Sequence, residues 1–442
     1  MFARNRQYPG SLGPVHTGRL GPWGQFIFSA TSSSATTDRL SATQRVALVL
    51  WRPLVGFALT TAALKSSPLA LYTPPFFWDL LLFGTIALAA VTVIAVRSWP
   101  PLSRADKVIV WTMASIAALA LTTAPFSNAP ERSFAQAAIL ALMTAFLGLT
   151  YLSRWIDRRR LLGDLMLVFA VSAIVQLSGI VSALIGQTWS LGLSGRLLGI
   201  LGNANYVGML SAVGVALGLA LFATVAGRRT RALTVAGIVV LCVALLWSGS
   251  RGSMVALAVG LIATLVAWRA WWFIVGFIAI VGGGAIAAVV AFPALFDRSG
   301  SLDVTSGRGE LWGVILEHWA SSPIIGTGYR TIEILPGTGG FSSHNIFVWL
   351  LTELGIVGLA LFATVLVAIA ARGKLSGFVG VAVCVMVAEL TESTLYGWGG
   401  PAAITFWLVL LAYPAYRRSD LSSATLASAG DLRRVRIRGV ST

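Results

Sequence analysis

The sequence predicts an all-α integral membrane protein with about twelve transmembrane helices and a large external loop containing short amphipathic helices. Three observations carry that prediction. Of 442 residues, 57% are hydrophobic and 11% charged, with a mean hydropathy of +0.83, whereas soluble domains carry roughly 25% charged residues. Apolar stretches near the ~20 residues needed to cross a bilayer recur along the chain. The basic residues alternate from one connection to the next, so the net charge of +16 and the pI near 11.0 report membrane topology. No continuous basic patch interleaved with aromatics points to nucleic acid.

Residues 1–45 are rich in Ser, Thr and Gly with scattered Arg. They lack an apolar core of signal-peptide length and read as a polar cytoplasmic tail. A transmembrane domain follows over 46–416, and a basic cytoplasmic tail over 417–442. The predicted crossing segments are 46–64, 77–96, 107–124, 134–152, 161–186, 205–226, 232–248, 253–268, 271–292, 345–371, 375–391 and 400–416. Segments seven and eight are short and separated only by a Ser/Gly/Arg turn, so they also fit one broken re-entrant pair. Residues 292–344, between segments nine and ten, form the large loop.

The count agrees with the positive-inside rule. Arg97, Arg104 and Lys107, then Arg154, Arg158, Arg159 and Arg160, then Arg228, Arg229 and Arg231, then Arg269, then Arg372 and Lys374 follow the even-numbered segments. The opposite short connections hold only Lys65, Arg132, Arg196 and Arg251. Both termini are therefore expected in the cytoplasm and the large loop outside. Cys242 and Cys384 fall inside apolar segments and read as small buried hydrophobes, with no disulfide or metal site.

Within the large loop, Leu311, Trp312, Ile315, Leu316 and Trp319 recur at helical spacing from Gly307 to Trp319, which predicts a short helix lying on the outer membrane surface. Pro323 ends it, and Pro336, Gly337, Gly339 and Gly340 make the rest pliable.

No Walker loop and no metalloprotease H-E-x-x-H motif occurs, and Asp297 and Asp303 are poorly spaced as an external carboxylate pair. The outer face offers arginine instead: Arg196 in SGRLLGILGNANYVG, Arg251 in WSGSRGS and Arg308 in TSGRGELW. Planar guanidiniums on a face otherwise poor in basic residues suit a phosphate-type anion. The competing reading is ion pairing to Glu310, Glu317 or Glu333, and it weighs most for Arg308. His344 starts segment ten, with Ser342 and Ser343 as candidate helix caps. An imidazole titrates near neutrality and suits proton abstraction from a hydroxyl, although a lone histidine is more often a packing residue. His318 is weaker, as a member of the surface helix. Glu353 lies nine residues into segment ten, ~13 Å deeper and on the opposite face. Glu353 and Glu389 read as polar groups satisfied between helices, or as proton carriers of a transporter.

Together GRLLGILGNANYVG, SGSRGS, SGRGELW, SPIIGTGY and SSHNIFVWLLTELGIVG resemble the O-antigen ligase and O-antigen polymerase superfamily. The likeness spans residues 190–360. It implies a GT-C-like, metal-independent, inverting glycosyltransferase without cofactors in the bacterial inner membrane. Its donor would be an undecaprenyl-diphosphate-linked glycan, its acceptor a hydroxyl of a glycolipid, glycan or protein, and its surroundings membrane lipid. By the same resemblance Arg196 and Arg251 hold the diphosphate, Arg308 matches a loop arginine ahead of a tryptophan, and His344 activates the acceptor. Asn203, Asn205, Asn345 and Glu353 are expected in support. A ligase and a repeat-unit polymerase are not separated by these motifs, and a proton-coupled transporter or lipid flippase is the alternative from another class.

Overall fold

A computed structural model of the chain describes residues 42–65, 74–95, 104–152, 158–192, 195–225, 227–268, 270, 276, 308–372, 378–395 and 402–411. Residues 1–41 and 412–442, which include most of both predicted tails, lie outside the described residues, as do all of segment nine but one position, Asp297 and Asp303. The other eleven predicted segments coincide with helices: α1 Ala42–Lys65, α2 Pro75–Ala95, α3 Arg104–Thr123, α4 Pro130–Leu152, α5 Arg158–Leu184, α6 Ala204–Phe222, α7 Arg228–Ser248 and α8 Arg251–Ala267. Then come α9 Arg308–Ser321 in the large loop, α10 Ile346–Arg372, α11 Val379–Ala388 and α12 Ala402–Leu411. Five of these helices, α3, α5, α6, α7 and α10, are long and apolar enough to cross a bilayer. The chain is a multi-pass helical membrane protein.

Packing sorts these helices by what surrounds them. α6 is the enclosed one, with 78% of its apolar window buried against 22% for α7. Accordingly α7 turns Leu233, Val235, Val239, Val243 and Leu246 outward, the face a helix presents to acyl chains. α3 packs on α4 and α10, α5 on α6 and α7, and α8 on α6 and α11. α7 and α8 are two helices that share α6 as a neighbour, α7 packing also on α5 and α8 on α11. Their corner is built by Gly249 in the left-handed region at φ 58°, followed by Ser250 as N-cap of α8. The corner sits tightly on α6, because a Cβ at Gly208 would lie 2.4 Å from the Ser250 Cβ.

Segment ten departs from a single span. Gly355 interrupts α10 with φ 68° and ψ −170°, a conformation open essentially only to glycine. Breaking a helix orphans carbonyls on one side and N–H groups on the other, and the large loop satisfies both. Thr327 N–H donates to the Thr352 carbonyl (2.8 Å) and Gly328 N–H to that of Glu353 (3.1 Å). In return Ile356 and Val357 donate to the carbonyls of Pro323 (2.9 Å) and Ile324 (3.2 Å). The SPIIGTGY and ELGIVG motifs are the two halves of this junction, which binds the loop to the helix bundle.

Segment eleven is shorter than predicted. α11 ends at Ala388, and residues 389–395 form a loop fastened by the buried Glu389 carboxylate, which accepts from the N–H groups of Thr394 (3.0 Å) and Leu395 (3.1 Å). Polar residues in LTEST cannot extend an apolar span, so they turn the chain out.

Candidate active site

The start of α10 docks on the loop after α11. Ile346 N–H donates to the Glu389 carbonyl (3.0 Å) and the Asn345 amide to that of Leu390 (3.1 Å). Asn345, rather than the predicted Ser342 or Ser343, caps this helix, its side-chain oxygen accepting from Phe347 N–H (2.9 Å) and Val348 N–H (3.2 Å), as a cap does for the second and third helical residues. Ser343 is fully buried and uses its carbonyl to accept from the Trp312 indole at 2.6 Å.

His344, just before the cap, has φ 49°. It and Arg330 are the two non-glycine residues with positive φ among the described residues. This backbone turns its imidazole onto Glu392, with Nδ1 2.6 Å from Oε2. An ionised carboxylate only accepts, so Nδ1 carries a proton, and in the neutral imidazole this leaves the lone pair on Nε2.

The other Glu392 oxygen, Oε1, accepts from Arg308 Nη2 (3.0 Å) and from the Asn205 amide (2.8 Å). Arg308 Nη1 also donates to the Thr391 carbonyl at 2.6 Å. Asn205 reaches the other way, its Oδ1 accepting from Arg196 Nη2 (3.1 Å), while Arg196 Nε donates to the Ser248 carbonyl (2.6 Å). Asn203 caps α6, its side chain accepting from Asn205 N–H at 2.8 Å. One polar network therefore joins four separate connections: the turn before α6, the α7–α8 corner, the first turn of α9, and the α10 start with the loop after α11.

Arg251 borders this network, since a Cβ on its neighbour Gly252 would lie 2.6 Å from the Thr391 hydroxyl. It is exposed, and among the described residues it has no hydrogen-bond or ion-pair partner. No side-chain cap accepts from the first-turn N–H groups of α8, so the positive end of that helix adds to the guanidinium.

One predicted feature differs. α9 does not lie free on the membrane surface: Ile315 is fully buried, Trp312 is bonded to the α10 approach, and Arg308 turns inward to Glu392, none of the three partners weighed for it. Glu353 stands apart from His344, its carboxylate accepting from the N–H groups of Arg330 (2.6 Å) and Ile332 (3.2 Å) in the large loop. His318 Nε2 lies 3.0 Å from the Pro336 carbonyl, away from this network. Among the described residues no three His, Cys, Asp or Glu side chains gather as a metal-binding group.

Glu392, the hub, is the residue that sequence reading passed over. Glu392 stands just past the end of a predicted apolar segment, outside every motif singled out above. The signal was its rarity, in a chain with only 16 acidic residues.

A family model described as O-antigen ligase matches residues 236–363. Over that stretch the chain is similar to the O-antigen ligase family. The motif resemblance is borne out over this stretch, which contains Arg251, Arg308, His344 and Glu353. No curated protein matches the chain. The O-antigen ligase match ends before Glu392 and begins after Arg196, Asn203 and Asn205, so the network closes with residues from both sides of the matched domain.

Proposed function

We propose that the protein is a membrane-embedded glycosyltransferase of the GT-C type that moves a glycan from an undecaprenyl-diphosphate carrier to a hydroxyl acceptor at the outer face of the bacterial inner membrane. The observation that carries this reading is the Glu392 carboxylate bridging His344 and Arg308 while tied through Asn205 to Arg196. It sets an oriented base beside a cluster of cations.

His344 Nε2 takes the proton of the acceptor hydroxyl as that oxygen bonds to the anomeric carbon. The bond from that carbon to the diphosphate oxygen breaks, and the polyprenyl diphosphate leaves with the electron pair. Glu392 holds the imidazole in the required tautomer and stabilises the imidazolium that forms. Arg251, with the first turn of α8, receives the diphosphate, and Arg196 and Arg308 add fixed positive charge where negative charge grows. A single displacement inverts the anomeric centre. Ligase and repeat-unit polymerase differ in the acceptor, not in this step.

The transporter alternative depends on Glu353 and Glu389 as proton carriers. Both accept from backbone N–H groups of neighbouring loops, which favours a structural role. The test is reconstitution with a lipid-linked glycan and an acceptor: His344→Ala is expected to stay folded and lose transfer by at least 10²-fold. Near-normal transfer by that variant removes His344 as the base.

A further inference from the structure

We propose that Arg330 and Arg132 form a second cationic subsite at the outer face, which takes the carboxylate of an acidic sugar in the donor or acceptor glycan. The inference deepens the glycosyltransferase reading and rests on it for the identity of the ligand as a glycan.

Arg330 stands where the backbone is held against its preference. Its φ is 61°, in a region that few non-glycine residues occupy. Tyr329 before it is fully buried edge-on against Trp349, with ring centroids 5.3 Å apart, and Ile332 after it is fully buried. The buried Glu353 carboxylate takes the N–H groups of Arg330 and Ile332 between them. The Arg330 side chain, one quarter exposed, pairs with Glu333 at 3.1 Å.

Arg132, from the first turn of α4, pairs with the other oxygen of Glu333. Two guanidiniums thus share the Glu333 carboxylate, while the Glu353 carboxylate holds the Arg330 backbone N–H from the buried side. All three side chains reach solvent, at 38% exposure for Arg132, 25% for Arg330 and 23% for Glu333. A tie between α4 and the loop requires one guanidinium; the second is surplus to it. Glu333 itself shows that the pair accepts a carboxylate, the geometry that guanidinium forks match.

The test uses the full-length protein in nanodiscs, with trigalacturonate as acidic probe and maltotriose as neutral probe of equal length. The wild type is expected to bind trigalacturonate at least tenfold more tightly than maltotriose, and Arg330→Gln to abolish that preference. Glu333→Gln frees both guanidiniums and is expected to tighten trigalacturonate binding threefold or more, a gain that misfolding cannot imitate. Equal affinity of the wild type for both probes, or no binding of either, overturns the proposal. So does weakened binding by Glu333→Gln, the mark of a purely mechanical tie. Glycan transfer by wild type and His344→Ala is measured alongside: acidic preference without transfer keeps an anion subsite and sinks the glycosyltransferase reading, whereas transfer without preference does the reverse.

Discussion

Glu392 is almost wholly shielded, with 3% of its side chain exposed, and a carboxylate in such a place is stable only when its oxygens are taken up by donors. His344, Arg308 and Asn205 take them up. The same arrangement that settles the carboxylate aims the imidazole, so stability and chemistry share one residue. A charge-assisted hydrogen bond contributes about 1.5–3 kcal/mol, and losing it from the forming imidazolium predicts transfer slowed roughly 10- to 150-fold. Glu392→Gln keeps an accepting oxygen without the charge and should show this loss in single-turnover transfer, with Glu392→Ala lower still. A Glu392→Ala enzyme with near wild-type turnover would remove Glu392 from the mechanism.

Among the helices, α10 is the one that positions the site, and it does so by being broken. Its first half runs only from Ile346 to the break at Gly355, held above by the Asn345 cap and the 389–390 turn and below by residues 323–328. The large loop is therefore stitched into the bundle on both sides of that half-helix, which fixes the distance between α9 and His344. Burial works against the charge of Arg330 in this loop, yet Glu333 and Glu353 outweigh it and raise its pKa, so the cation persists at every physiological pH. An alanine at Gly355 would adopt a glycine-only conformation and drive its Cβ to 2.1 Å from the Ile324 carbonyl oxygen. A loss on the order of 3 kcal/mol or more is expected, read as a clearly lowered unfolding temperature in detergent. Unchanged thermal stability would show that the break does not hold the loop.

For the molecule as a whole, the mechanism requires that the large loop face outward, because a lipid-linked glycan is consumed there. Ser343 at the loop's end is buried and unsuited to labelling, whereas Phe341 is 62% exposed. A cysteine at Phe341 should react with a membrane-impermeant maleimide on intact cells, against a low background from Cys384, which is buried, and Cys242, which is half-buried within α7. Labelling only after permeabilisation would put the site on the wrong side for the donor.

The places of the helices at eleven predicted segments and of the helix in the large loop were legible along the chain, because hydrophobic length and periodicity are properties of neighbouring residues; His344, Arg196, Arg251 and Arg308 were singled out from local motifs, and their roles are proposals. The break at Gly355 was not, since its hydrogen bonds are completed by residues some thirty positions earlier. Nor was the partnership of Glu392 with His344, 48 residues away, or with Asn205, 187 residues away. Hydropathy reports what surrounds a segment, but which polar groups meet depends on how the helices pack, and a shielded carboxylate finds its partners only once they have.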